Sequence, residues 1–294
     1  MGMGKIAHLA DRGVVRVGGP EARGFLQNLL TCDLDRIEEN GAGTGALLTP
    51  QGKILFGFLI FRQGEDYLLD LPRAAAGDLV KRLTFYRLRS KVEIADISAE
   101  TAVLALWGGE VTAPDSALAH GADPRLATLG QRAVVPASGD GSPFAETTAD
   151  AAAYRRHRIA LGVPEAPFDF AYGDVFPHDV DMDDLNGVAF DKGCFIGQEV
   201  VSRMQHRGTA RRRIVKVTSD TALPASGSTI EAGGKPVGTL GSVDGTRGLA
   251  LVRLDRVAAA QAAGTTVAAD GVALRFALPE FARFTWPETA SADD

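Results

Sequence analysis

The stretch DKGCFIGQEVVSRMQHRG, Asp191 to Gly208, holds one of only two cysteines in the chain and sets it among a lysine, glycines and a Gln-Glu pair. The thiolate is the nucleophilic and metal-ligating form of cysteine, and nearby positive charge or a helix start favours it. Lys192 lies two residues before Cys194, and GQEVVSRMQ has the periodicity of a helix with Val200, Val201 and Met204 on one face. Gly193 and Gly197 bracket the cysteine, so the backbone can turn sharply there. A working thiol is one reading of Cys194. A small side chain packed in a tight turn is the other, because free cysteines are often buried. Cys32, between Thr31 and Asp33, has no cationic neighbour in sequence and reads as structural.

Other charged groups invite weaker readings. Arg203, His206, Arg207 and Arg211 to Arg213 can bind a carboxylate or phosphate, although such runs are commonly solvated faces. Tyr154 and His157, beside Arg155, Arg156 and Arg158, offer a flat stacking surface or an amphipathic helix with its aromatic in the core. The acidic run from Asp179 to Asp184 reads as a solvated loop; it lacks the glycine and final glutamate of an EF-hand. The GxSxG, P-loop and GxGxxG signatures are absent from the sequence. The five histidines show no HxxxH spacing and the two cysteines form no CxxC, so no metal site is expected.

These groups need elements to hold them. Residues 4–17 read as a strand, and FLQNLL continues into a helix with Phe25, Leu26, Leu29 and Leu30 on one face. ALLTPQGKILFGFLIF reads as a hairpin about a Pro-Gln-Gly turn, DYLLDL as a further strand, and RAAAGDLVKRLTFYRL as a helix. KVEIADI and TAVLALWG supply two more strands. Residues 109–150, rich in Ala, Gly, Pro, Asp and Ser, read as a weakly packed connection with one strand, QRAVVPA. AAAYRRHRIAL is a helix, and residues 162–185 form a long loop of the kind that often carries function. After Gly208, short strands at close spacing predict a small antiparallel barrel or sandwich.

A length of 294 residues with 45% hydrophobic and 23% charged content fits about two domains. The net charge of −6 argues against a nucleic-acid binder or an anionic-membrane binder. No apolar run reaches the roughly 18 residues of a membrane span, and the first residues lack a secretory or transit pattern. The location expected on these grounds is cytoplasmic, with both thiols reduced.

YRRHRIALGVPE, followed some way on by NGVAFDKGCFIGQEVVSRMQHRG, resembles the YgfZ family of folate-binding-like proteins, whose eukaryotic relatives act in iron–sulfur assembly. FLQNLLTCDL, TPQGK and the barrel-like tail extend the resemblance over nearly the whole chain. That family is similar in turn to the glycine-cleavage T-protein, a tetrahydrofolate-dependent aminomethyltransferase. The resemblance implies an α+β fold: a T-protein-like three-lobed ring of antiparallel sheets with helices and a C-terminal β-barrel. The expected lobes are 1–120, 121–209 carrying KGCFIGQE, and 210–286, followed by a tail over 287–294.

The implied function is a folate-linked accessory for assembly or repair of iron–sulfur enzymes, without classical enzymatic activity. Cys194 is then the working thiol and Lys192 holds its thiolate. Gly193 and Gly197 shape the turn, Gln198 and Glu199 fix the helix start or bind a partner group, and Tyr154 and Arg158 line a ligand channel. The expected cofactor is tetrahydrofolate or another folate, and the expected partners are iron–sulfur clients or assembly proteins. The alternatives are a one-carbon transferase using Asp169, Asp174 or the acidic run as its acid, and a scaffold without ligand chemistry. Two positions depart from the T-protein pattern. The segment after TPQGK, Lys53 to Gly57, has no carboxylate and carries Phe56, and Ala160 stands where a glutamate would grip the pterin.

Overall fold

The computed structural model describes residues 4–137, 147–208 and 210–288. In chain order its elements are β1 (Lys5–His8), β2 (Arg12–Gly18), α1 (Ala22–Leu29), α2 (Leu34–Asn40), β3 (Ala42–Leu48), β4 (Ile54–Gln63), β5 (Asp66–Pro72), α3 (Arg73–Arg87), β6 (Glu93–Asp96), β7 (Thr101–Trp107), β8 (Ala119–Ala122), β9 (Gln131–Pro136) and α4 (Ala151–Leu161). After a long loop come α5 (Gln198–Arg207), β10 (Arg212–Thr218), β11 (Thr229–Ala232), β12 (Lys235–Asp244), β13 (Arg247–Arg253), α6 (Leu254–Ala262), β14 (Val267–Ala269), β15 (Val272–Ala273) and β16 (Arg275–Ala277). The expected α+β class with antiparallel sheets holds.

Two compact units emerge, one of residues 1–155 with 185–199, the other of residues 156–184 with 200–294. The KGCFIGQE residues thus belong with the amino-terminal residues. Lobe boundaries at 120 and 209 remain a proposal, and the expected tail lies outside the described residues from 289 onward.

The first unit contains a five-stranded sheet in the order β3-β4-β5-β2-β6 and a four-stranded sheet in the order β1-β7-β9-β8. The hairpin about Pro50-Gln51-Gly52 forms as expected, pairing Ala42 with Phe61 through Leu48 with Ile54. The single strand expected over residues 4–17 is instead two strands in different sheets. Arg12 N–H donates to the Leu9 carbonyl at 3.0 Å and closes a turn between them, so β1 pairs with β7 and β2 with β5 and β6. α2 is an element that apolar periodicity did not reveal. Its ends carry the local signals: Asp33 accepts from Asp35 N–H at 3.1 Å, and Gly41, at φ +76°, donates to the Ile37 carbonyl.

The stretch expected to be weakly packed contributes β8 and β9. β9 lies between β7 and β8 and buries Ala133, Val134 and Val135; residues 138–146 lie outside the described set. One buried charge cluster joins strands of both sheets. Asp70 on β5 accepts from Arg12 Nε at 2.6 Å and from Arg132 Nη1 at 3.1 Å, and Arg132 Nη2 donates to the Tyr154 hydroxyl at 2.9 Å. Burial of these charges is tolerable only because each has a partner of opposite sign.

In the second unit, β10 to β16 make a seven-stranded sheet in the order β15-β14-β11-β12-β13-β10-β16. Its interior is aliphatic, with Val215, Val217, Ile230, Leu240, Val252 and Val257 among the buried side chains. Val215, Val217 and Ile230 alternate with the more exposed Lys216, Thr218, Thr229 and Glu231, as the short-strand pattern of the sequence encodes, and Val257 is added from α6. Among the described residues no helix is long and apolar enough to cross a membrane.

Candidate thiol site

Helix α1 ends at Leu29, and its last carbonyls have no partner within the helix. Lys192 fills that need. Its Nζ donates to the carbonyls of Gln27 at 2.7 Å, Leu30 at 2.8 Å and Cys32 at 2.7 Å. An ammonium has three protons, so all are used, and a cation at a helix C-terminus also meets the negative end of its dipole. Burial lowers the Lys192 pKa from its ordinary value, opposed by the neighbouring Cys32 and Asp33. The expectation that Lys192 holds the Cys194 thiolate is corrected on this geometry: its protons are directed to backbone oxygens, and it acts as an anchor for the loop.

Other bonds fasten the same segment. Thr31 Oγ1 donates to the Gly187 carbonyl at 2.6 Å and accepts from Ala46 N–H on β3 at 2.8 Å, while Ala189 N–H donates to the Thr31 carbonyl at 2.8 Å. Arg36 on α2 pairs with Asp191 at 2.5 Å. The Lys192 ammonium also lies 5.6 Å from the centre of the buried Phe195 ring.

On the far side of the cysteine, Gly197 adopts φ +78° beneath the Pro-Gln-Gly turn. A Cβ there would come within 2.5 Å of the Thr49 carbonyl oxygen and 3.0 Å of Gly52 Cα, so a side chain is excluded by conformation and by space. Gly193 differs from the expectation. Its φ is not positive and the space beside it is open, so the turn does not require a glycine there. Gln198 opens α5, its N–H donating to the Phe195 carbonyl at 3.3 Å, and exposed Glu199 sits in the first turn where negative charge suits the helix dipole.

Between these two anchors Cys194 is exposed, whereas Cys32 is buried. Burial pushes the Cys32 thiol up to about 12, which keeps it protonated and inert at neutral pH. The first unit therefore presents one accessible thiol on a backbone fixed from both ends, and that arrangement can donate a sulfur ligand or undergo thiol exchange. Among the described residues no group of three or more His, Cys, Asp and Glu side chains could hold a metal ion.

Tyr154 and Arg158, expected to line a ligand channel, are both buried on α4 and occupied internally. The Tyr154 ring lies edge-on to Trp107 with centroids 5.4 Å apart, and its hydroxyl accepts from Arg132. Arg158 donates through Nη1 to Asp169 and to the Val163 carbonyl, each at 2.6 Å, through Nη2 to Ser242 at 2.7 Å, and its Nε lies 3.3 Å from Glu165. These contacts correct the ligand-channel roles. The carboxylates of a T-protein-like pterin grip also fail to appear, since Phe56 is buried in β4 and Ala160 is exposed on α4. These residues do not fit a folate held in that manner.

The acidic run is not the solvated loop expected of it. Asp179 accepts from Arg212 at 2.6 Å, Asp183 takes both arms of Arg213 at 2.6 and 2.9 Å, and Asp184 pairs with Arg283 at 2.9 Å. Asp181 is completely buried at φ +60° with Arg213 Nη1 3.6 Å from Oδ1, and burial raises its pKa well above the ordinary value despite that cation. Asp169, considered as a catalytic acid, is committed to Arg158 and to Ser242 N–H at 2.7 Å. Sequence reasoning missed the receptor of Lys192, because backbone carbonyls have no residue signature. Only the apolar helix ending just before Thr31-Cys32 signalled it.

Residues 211–284 match the family described as the CAF17 C-terminal beta-barrel domain. The iron–sulfur cluster assembly factor IBA57 homolog, mitochondrial, of Mycosarcoma maydis is 32% identical over 240 residues, covering 76% of this chain and 60% of that protein. The mitochondrial IBA57 proteins of Mus musculus and Homo sapiens are each 31% identical, covering 85% of this chain and 77% of theirs. The crystal structure of glycine cleavage system aminomethyltransferase T from Bartonella henselae superposes with a TM-score of 0.72 at 17% identity, over 95% of this chain and 86% of that one. The fold is thus T-protein-like, and the YgfZ resemblance is sharpened to IBA57. The cytoplasmic expectation is overturned, since these relatives are named as mitochondrial. Composition and net charge do not distinguish one cellular compartment from another.

Proposed function

The chain belongs to the IBA57 family of iron–sulfur cluster assembly factors, and on that premise we propose that it serves assembly or repair of iron–sulfur enzymes through the thiol of Cys194. The observation that carries the reading is the contrast between the two cysteines: Cys194 exposed between two backbone anchors, Cys32 buried. Cys194 loses its proton to solvent, and its sulfur gives an electron pair to an iron of a cluster whose other ligands come from a client or assembly protein. A lone thiolate cannot hold a cluster by itself, because ordinary clusters take about four. The partner is part of the site, and the chain acts as an accessory without a classical catalytic cycle.

Folate carries no step in this mechanism. Tetrahydrofolate remains the small molecule to test, and the aminomethyltransferase reading has no free carboxylate in its favour among Asp169, Asp179, Asp183 and Asp184. The decisive experiment replaces the native chain with Cys194→Ser and measures iron–sulfur enzyme activity in cells, beside calorimetry of the purified protein with tetrahydrofolate. Loss of activity with a folded variant is expected. Full rescue by the serine would overturn the thiol role, and absence of heat with tetrahydrofolate removes the transferase while leaving the thiol reading intact.

A further inference from the structure

The carboxy-terminal end of α3 carries a surface that the thiol site does not use. Phe85 and Leu88 are the exposed large hydrophobic side chains of the described residues, at 71% and 87% exposure. Leu88 also has φ +47° and ψ −107°, a positive-φ conformation that a leucine adopts only at a cost. The following strap is fixed in this geometry. Ser90 N–H donates to the Arg87 carbonyl at 2.8 Å, and Lys91 N–H donates to Glu21 Oε2 at 3.0 Å. A shallow groove lined by Glu21, Leu88, Arg89 and Ser90 runs beside it.

Arg82, Arg87, Arg89 and Lys91 lie within three residues of one or other apolar side chain along the sequence, Arg89 lines the groove with Leu88, and none of these cations has an ion-pair partner among the described residues. Lys81, by contrast, is paired with Asp78 at 2.8 Å. Four cations with Glu21 as the one carboxylate in the groove leave this corner net positive in a chain of net charge −6, and apolar surface rimmed by charge marks interaction sites. We infer that this corner docks a partner protein that offers an apolar pocket edged by carboxylates, taking Leu88 and Phe85 as anchors and the arginines as the rim.

A second copy of this chain is a poor occupant. A two-fold interface apposes like patches, which would set these cations against their own counterparts. An anionic lipid surface would be repelled by the remainder of the chain, which is acidic overall. The inference stands apart from the thiol reading and does not depend on Cys194.

Binding is measured by fluorescence anisotropy of the full chain with a labelled peptide alternating Glu and Leu, against the same peptide with Gln for Glu. Phosphatidylglycerol vesicles and sedimentation of the chain alone complete the set. The acidic peptide is expected to bind, to weaken roughly tenfold or more in Phe85→Ser and in the double variant Arg87→Glu, Arg89→Glu, and to weaken with added salt. Leu88→Gly supplies a readout that a structural role would not produce: relief of the strained φ raises the unfolding temperature while peptide binding falls. Equal binding of the Gln peptide, binding unchanged in these variants, vesicle binding without peptide binding, or a dimer abolished by Phe85→Ser would each overturn the proposal.

Discussion

Replacing Lys192 by Met keeps most of the side chain's length and removes the ammonium, so it isolates the bonds that fasten the Cys194 loop to α1. Three carbonyls then lose a charged donor. Hydrogen bonds to charged groups contribute about 1.5–3 kcal/mol each, and the cost of burying the ammonium, visible in its lowered pKa, offsets part of the sum. A net local loss of about 2–5 kcal/mol follows.

Because the chain has two cysteines, a Cys194→Ser background leaves Cys32 as the sole thiol, and its carbonyl is one of the three acceptors. Cys32 is buried and held protonated, so an alkylating reagent reaches it only when this segment opens. When reclosing outpaces alkylation, the labelling rate follows the open population. Lys192→Met should then speed Cys32 labelling by about 30- to 4,000-fold, at 1.4 kcal/mol per tenfold. A change smaller than about threefold, within the range of ordinary surface substitutions, would refute the anchor role.

Other perturbations probe the remaining supports. In the native protein Cys194 should react with iodoacetamide while Cys32 stays unlabelled, read by peptide mass spectrometry, since only Cys194 is exposed. Gly197→Ala should destabilise the first unit by about 2 kcal/mol or more in urea titration, from left-handed strain and the clash with Thr49 and Gly52. Asp70→Asn should cost about 3–5 kcal/mol by the same titration, because Arg12 and Arg132 lose their shared carboxylate in a buried setting. Asp181 has a folded pKa above its unfolded value, so the stability it contributes is full below about pH 3.9 and is lost as pH rises through the folded value. Relative to Asp181→Asn, the native chain should therefore lose about 1.4 kcal/mol per pH unit across that window, measured as the difference between the two denaturation series.

What could be read from the residues depended on whether the stabilising partner was a side-chain pattern or a backbone atom. The hairpin at Pro50 to Gly52, α3, α4, α5 and the carboxy-terminal strands follow apolar periodicity and turn residues, which act within a few positions. The division of residues 4–17 between two sheets was not legible, because β1 and β2 have their pairing partners in β7, β5 and β6, far along the chain. The site divided similarly. Gly197 carried its requirement in its type, whereas Lys192 pointed by sequence toward Cys194 and in space toward carbonyls more than 150 residues earlier. The acidic run misled for the opposite reason: Arg212, Arg213 and Arg283, which neutralise it, lie 33, 30 and 99 residues away from their aspartates.

The same geometry argues for why a motif so dense in special residues surrounds a single thiol. Under the proposed role, a sulfur that shares a cluster with another protein must be reachable from outside, yet its position must be defined to within a fraction of an ångström for the iron geometry to close. Exposure and definition oppose each other, because an exposed side chain has few neighbours to fix it. The fold resolves this by fixing the backbone on both sides: Lys192 ties down the chain two residues before Cys194, and Gly197 seats it under the Thr49 turn three residues after. Cys194 itself then needs no packing. It follows that substitutions at either anchor should impair iron–sulfur enzyme maturation with the thiol still present. A chain carrying Gly197→Ala that kept full maturation activity despite lowered stability would separate the thiol from its supports and leave the anchored-loop argument without force.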